Sequence, residues 1–191
     1  MKDLIQIKIA ETDAEREAAY QLRYEVFGLE EGDHRYSDHE RKFWIDQDDG
    51  PNSTVLVAFD MDGICLASTR LTLLRQLKFL AMEAYHFEVL AALLNLSLTE
   101  LTMIVGRWDR GVVRKSARGL GILQLLEERV ADLAMSNNCT IIVGTIKPDN
   151  HAMFRAVAKA GYRTYPVVET YRGFTAQLIY KDLREYQPKI D

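Results

Sequence analysis

The chain has 191 residues, enough for one domain with a full hydrophobic core. Its composition, 48% hydrophobic and 27% charged, is that of a soluble globular protein, and a net charge of −4 argues against a general nucleic-acid binder. The longest apolar run, residues 89–98, is too short to span a bilayer and contains Asn95 and Ser97. The start, Met1-Lys2-Asp3-Leu4-Ile5-Gln6, lacks the apolar core of a signal peptide, so the chain reads as cytoplasmic. Cys65 and Cys139 sit in apolar, strand-like surroundings and read as buried small hydrophobes. No zinc-type spacing is present, and no metal is expected.

Leu4-Ile5-Gln6-Ile7-Lys8-Ile9 alternates and predicts a strand. Asp13 can cap a helix running to about Phe27, with Ala18, Leu22 and Val26 on one face. Residues 28–52 are polar, acidic and aromatic, and read as a long loop with room for a short helix. Residues 55–59 form a strand, Asp60-Met61-Asp62-Gly63 a turn, and residues 64–73 the second strand of a hairpin. Residues 74–98 read as mainly helical and strongly apolar, and residues 101–105 as the next strand. An amphipathic helix follows from Leu120 to Ser136, with Leu123, Leu126, Val130 and Leu133 on one stripe. Residues 139–146 form a buried strand, residues 150–160 a helix closed by Gly161, and residues 164–181 the last strands. The absence of repeats or Pro/Gly-rich linkers gives a single domain over residues 1–191.

The run Ser116-Ala117-Arg118-Gly119-Leu120-Gly121 lies between a strand and an amphipathic helix. Glycines there let the backbone approach a ligand, and the helix offers free N–H groups and its positive dipole end to the same point. That is either a tight turn or a site for the phosphates of a coenzyme A or phosphopantetheine arm. Arg107, Arg110, Arg114, Lys115 and Arg118 crowd just before it, with only Asp109 opposing. They form either a solvated loop or a docking patch for phosphate or an acidic protein.

This order, with the glycine turn after the fourth strand, resembles the GNAT acyltransferase superfamily. The matching segments are residues 101–121, 139–146 and 150–162, the last with Asn150 at its head and Gly161-Tyr162 at its end. The resemblance implies an α/β fold: a mixed sheet flanked by helices, with a helical insert between the third and fourth strands. It also implies that Ile104, Val105, Gly106, Arg114, Lys115, Arg118, Gly119, Leu120, Gly121 and Asn150 hold the donor, the amides near Ile104 to Gly106 lying on a strand splayed from its neighbour. Position 157 is Val where acetyltransferases of the family commonly carry a Tyr placed to protonate the departing thiolate. Ser116 stands where the phosphate loop usually begins with Gln or Arg.

Arg23-x-x-x-Phe27, Asp46, Asp49, Arg70 and Glu100 resemble the spaced charged residues of the acyl-homoserine lactone synthases and, more closely, the N-acyl amino acid synthases. The implied function is that of an N-acyltransferase moving a medium- to long-chain acyl group from an acyl carrier protein or acyl-CoA thioester to the amine of an amino acid or similar small molecule. The alternatives are an acetyl-CoA N-acetyltransferase and a non-catalytic acyl-thioester sensor. Glu100, at the start of a buried strand, is expected to have a raised pKa and to serve as base. Asp46, with Asp48 and Asp49, is either an amine-binding group or a solvated acidic loop. Arg23 and Arg70 either pair with loop aspartates or fork an acceptor carboxylate. Within the insert, Leu74, Leu77, Phe79, Leu80, Met82, Phe87, Leu90, Leu93 and Leu94 either wall an acyl tunnel or pack on the sheet.

Overall fold

A computed structural model describes residues 5–50, 53–74, 85–171, 174–184 and 186. Within the insert, Leu77, Phe79, Leu80 and Met82 lie outside the described residues. The chain divides into two compact units, Met1–Thr72 with Asp109–Val130, and Leu73–Trp108 with Ala131–Asp191.

In the first unit β1 (Gln6–Ile9) pairs antiparallel with β4 (Ser53–Phe59), and β4 with β5 (Cys65–Leu73). The intervening turn is set by Asp60, whose carboxylate accepts from the amides of Asp62 and Ile64. The C-terminal half of β6 (Val105–Val113) follows β5 in the strand order. Helix α1 (Asp13–Arg23) is capped by Thr12, one residue before the expected cap at Asp13. Thr12 and Glu15 form a reciprocal capping box, which satisfies two first-turn donors at once. Ala19, Leu22 and Val26 bury against Val55, Val57, Cys65 and Val112.

The helix expected to reach Phe27 changes pitch at Tyr24, and residues Tyr24–Glu30 form a π-helical turn. Gly28 sits inside it, where a Cβ would meet Ser37 Oγ at 3.2 Å and the Tyr24 ring at 3.3 Å. The segment expected to be a loop then forms a small hairpin, β2 (Ser37–Asp38) with β3 (Phe43–Trp44). Its anchor is Trp44, buried between the rings of Phe27 and Tyr36, with its indole N–H donating to Asp33 O at 3.1 Å. Alternating patterns cannot signal strands two residues long, which exist because an aromatic side chain buries beneath them.

In the second unit the expected strand at residues 101–105 is a helix almost to its end. α2 (Phe87–Leu94) is followed by α3 (Leu98–Ile104), and β6 begins at Val105. Ser97 and Glu100 make a second capping box, and this local start signal outweighs the β-like composition that follows. Val105–Arg107 pair in parallel with Ile141–Val143 of β7 (Ile141–Ile146). β7 then pairs antiparallel with β9 (Phe174–Asp182), and β9 with β8 (Arg163–Tyr171). The β8 register shifts between Thr164 and Val168, around Pro166, which has no N–H to donate. The Gln177 amide donates to the carbonyls of Tyr165 and Val167 and closes that irregularity.

The core of this unit joins Leu74, Phe87, Leu90 and Leu101 to Val105, Ile141, Val143, Leu178 and Tyr180. The described part of the insert therefore packs on strands, while Leu93 is exposed. Helix α4 (Ile122–Ser136) buries Ile122, Leu126, Val130 and Ala134, an i, i+4 stripe turned slightly from the expected one; Leu123 and Leu133 are half-buried. α5 (His151–Lys159) is capped by Asn150 and followed by Gly161 at φ +86°.

Candidate functional site

Two features of the first unit carry charge and unpaired hydrogen-bonding capacity. The first is a buried set of three arginines and three aspartates. Arg70 projects from β5 and is fully buried. Its Nη1 donates to Asp46 Oδ1 at 2.7 Å, and its Nε and Nη2 donate to the two oxygens of Asp109 at 2.8 Å each. Nη1 also lies 2.9 Å from Asp49 Oδ1, which accepts from Arg23 Nη1 at 2.8 Å. Arg110 closes the set, its Nε donating to Asp46 Oδ2 at 2.7 Å and its guanidinium resting over the Trp44 ring.

The set is formally neutral, as a group of charges removed from water requires. Burial would raise the Asp46 pKa, but the Arg70 hydrogen bonds and the charges of Arg70 and Arg110 outweigh it and hold it at about 2. Burial lowers the Arg70 pKa, but Asp109, Asp46 and Asp49 together drive it well above its ordinary value. Arg23 and Arg70 thus pair inside the protein with the loop aspartates, and both Asp46 oxygens are engaged by arginines. Among the described residues, Arg23 Nε and Nη2, Ser68 Oγ and Thr72 Oγ1 are buried without a partner.

The second feature is the glycine turn. Gly119 has φ +82° and Gly121 φ +76°, the left-handed region that side chains resist. A Cβ at either would meet nothing within 4 Å, so the turn faces open space and its need for glycine is conformational. Gly121 O accepts from the amides of Gln124 and Leu125, which starts α4. The amides of Gly119 through Leu123 find no acceptor among the described residues. Five such donors, at the positive end of a 15-residue helix, suit an anionic oxygen.

The other anticipated residues fall elsewhere. Glu100 is the third residue of α3, exposed, and accepts from the Ser97 hydroxyl at 2.6 Å and the Ser97 amide at 2.8 Å. These bonds lower its pKa, so the expected buried strand-start carboxylate with a raised pKa is corrected: exposure and a capping role hold it ionised. Ile104 ends α3, and its carbonyl accepts from Thr140. Val105 and Gly106 belong to the part of β6 that pairs with β7, so the expected splay does not begin there. Asn150 caps α5, its side chain accepting from the Met153 amide at 3.0 Å. Val157 is buried.

The basic run is also more paired than its sequence suggests. Arg107 is buried, and Arg110 belongs to the charge set. Arg114 pairs with Glu25 and Arg118 with Glu30, while Lys115 is exposed. Asp109 and Trp44 were missed as partners of the set. The available signals were an arginine inside an otherwise uncharged strand and a lone aspartate within a basic run. Among the described residues no three His, Cys, Asp or Glu side chains gather where a metal ion would sit.

Solved structures share this fold. The CoA-dependent acyl-homoserine lactone synthase BjaI, with SAM and isopentyl-CoA, is 14% identical with a TM-score of 0.69, covering 95% of this chain and 83% of that one. TofI, in a ternary complex with an inhibitor and MTA, is 16% identical with a TM-score of 0.67, covering 94% and 91%. An acetyltransferase of the GNAT family from Staphylococcus aureus Mu50 is 13% identical with a TM-score of 0.60, covering 94% and 99%. No curated protein sequence matches significantly.

The mixed sheet flanked by helices is therefore that of the GNAT acyltransferase fold. The N-acyl amino acid synthase FeeM family model matches residues 18–181, and the chain belongs to that family. It is an N-acyltransferase.

Proposed function

We propose that this enzyme moves a medium- or long-chain acyl group from a phosphopantetheine thioester, on acyl carrier protein or coenzyme A, to the amine of an amino acid. The turn at Gly119–Gly121 carries the reading: two left-handed glycines and five unpaired amides at the head of α4, in an acyltransferase fold. This cradle suits the phosphate of the donor arm, and Lys115 and Arg118 lie beside it in sequence. The family match over residues 18–181 supports an amino acid as acceptor. In the reaction the acceptor nitrogen, as free amine, attacks the thioester carbonyl. A C–N bond forms, the C–S bond breaks with its electron pair going to sulfur, and the proton shed by the nitrogen passes through solvent to the thiolate, leaving an amide and a free thiol. Holding both substrates in place supplies a large part of the acceleration.

Asp46 and Arg70 act here as the buried frame behind the hairpin rather than as groups touching substrate. All their charged atoms are committed to one another and to Asp49, Asp109 and Arg110.

The test is intact mass spectrometry of reactions offering each acyl group, two to sixteen carbons long, both as coenzyme A and as carrier-protein thioester. Pooled amino acids serve as acceptors. A long-chain N-acyl amino acid is the expected product. Acetylation from acetyl-CoA alone would replace this reading with an ordinary acetyltransferase.

A further inference from the structure

The π-helical turn after α1 does more than end a helix. Its bonds run from i+5 to i, as in the Glu31 amide donating to Val26 O at 3.0 Å, so residues five apart return to the same face. Glu25 and Glu30 are such a pair. In an α-helix, five residues overshoot a turn and the two carboxylates would diverge. Here both reach the basic segment that leads into the glycine turn. Glu25 Oε2 accepts from Arg114 Nη1, and Glu30 Oε2 from Arg118 Nη2, each at 2.7 Å.

The two arginines are held differently. Arg114 is fastened to the sheet as well, its Nε donating to Cys65 O at 2.9 Å and its amide to Leu66 O at 2.8 Å. Among the described residues Arg118 has a single other side-chain bond, to Val113 O at 3.1 Å. The Arg118–Glu30 pair is also half open to solvent, with side-chain exposures of 44% and 35%. Arg118 immediately precedes Gly119, so it is the guanidinium next in sequence to the unpaired amides.

We infer that Glu30 is a built-in competitor for the donor phosphate: it holds Arg118 while the turn is empty and yields it when a phosphate arrives. The inference rests on the turn being the donor-phosphate site. Arg118 exchanges one carboxylate for one phosphate and stays paired throughout, while Glu30 passes to solvent. Glu25 keeps Arg114 and fixes the base of the segment during the exchange. Glu30 therefore sets donor affinity from outside the contact itself, and does so by charge.

The experiment is titration of coenzyme A into wild type, Glu30→Gln, Arg118→Met and the double variant, at low and high salt, with thermal unfolding as a fold control. Exposed ion pairs are worth up to about 1 kcal/mol, so Glu30→Gln should tighten coenzyme A by up to about fivefold at low salt. The gain should shrink as screening rises. In the Arg118→Met background the same change should have less than about twofold effect, because the contested guanidinium is gone.

Weaker binding by Glu30→Gln would mean that Glu30 merely positions Arg118, and equal binding would mean that it does nothing. Either result overturns the inference and leaves the phosphate site intact. Failure of wild type and Glu30→Gln alike to bind coenzyme A would refute the phosphate site itself, and the competitor with it.

Discussion

Replacing Arg70 by Met tests whether the six-residue charge set is a unit. The substitution removes four hydrogen bonds, two to Asp46 and two to Asp109, together with the contact to Asp49. Three carboxylates stay behind, with only Arg110 and Arg23 to answer them. Summing the lost bonds would overstate the cost, since they share one guanidinium. Breaking a buried pair by removing one partner costs about 3–5 kcal/mol, a large share of the ~5–15 kcal/mol that holds a domain together.

The cost should also depend on pH with a definite sign. The Asp46 carboxyl, held by the Arg70 and Arg110 guanidiniums, titrates at about 2 in the folded protein, below the ordinary 3.8 of an aspartate. It contributes about 2 kcal/mol of stability that is fully present above the unfolded pKa and lost as pH falls through the folded one. Without Arg70, burial lifts the carboxylate pKa and that contribution disappears. Urea denaturation of both proteins between pH 7 and pH 2.5 should show the difference largest above about pH 5 and shrinking in acid. A difference below about 1 kcal/mol at pH 7, or one that does not change with pH, would refute the account.

Gly119→Val and Gly121→Val each force a β-branched residue into positive φ, at about 1–2 kcal/mol or more. Both should remain folded by circular dichroism and lose acyl-CoA binding, because the open space around the turn leaves nothing to clash with. Glu100→Gln should keep the capping box and leave both turnover and melting temperature nearly unchanged, since glutamine can make the same bonds. Glu100→Ala should lower the melting temperature slightly by breaking the capping box, and a large fall in kcat for Glu100→Gln at constant stability would assign Glu100 a part in the chemistry. Burial pushes the Cys65 thiol up to about 12, so a thiol reagent at pH 8 should modify it only at the rate of unfolding. Labelling that is fast in native conditions would contradict this.

Much of the order of elements was legible in the chain. β1, β4, β5, α4, β7 and α5 follow from periodicity, and α5 carries its own cap in Asn150 and its own stop in Gly161. The misreadings lie where a local signal competed with composition. Residues 101–104 look like a strand, yet the Ser97–Glu100 box starts a helix that carries through to Ile104. The β2–β3 hairpin escaped notice because its strands are two residues long and are held by the burial of Trp44, which no alternation announces.

The charge set divides in the same way. That Arg70, alone in an apolar strand, needs carboxylate partners follows from the cost of burying an unpaired charge, and Asp46 and Asp49 were visible candidates. That Asp109 and Arg110 complete it follows only from β6 lying beside β5, a pairing across about forty residues of chain that includes the insert. The glycine turn was readable because backbone freedom is written in residue type. The engagement of Arg114 and Arg118 by Glu25 and Glu30 was not, because it depends on a change of helical pitch and on contacts nearly ninety positions apart. Local chemistry such as caps, turns and face periodicity is determined by neighbouring residues. Which charge meets which is decided by the sheet, because only packing brings distant carboxylates to the same guanidinium.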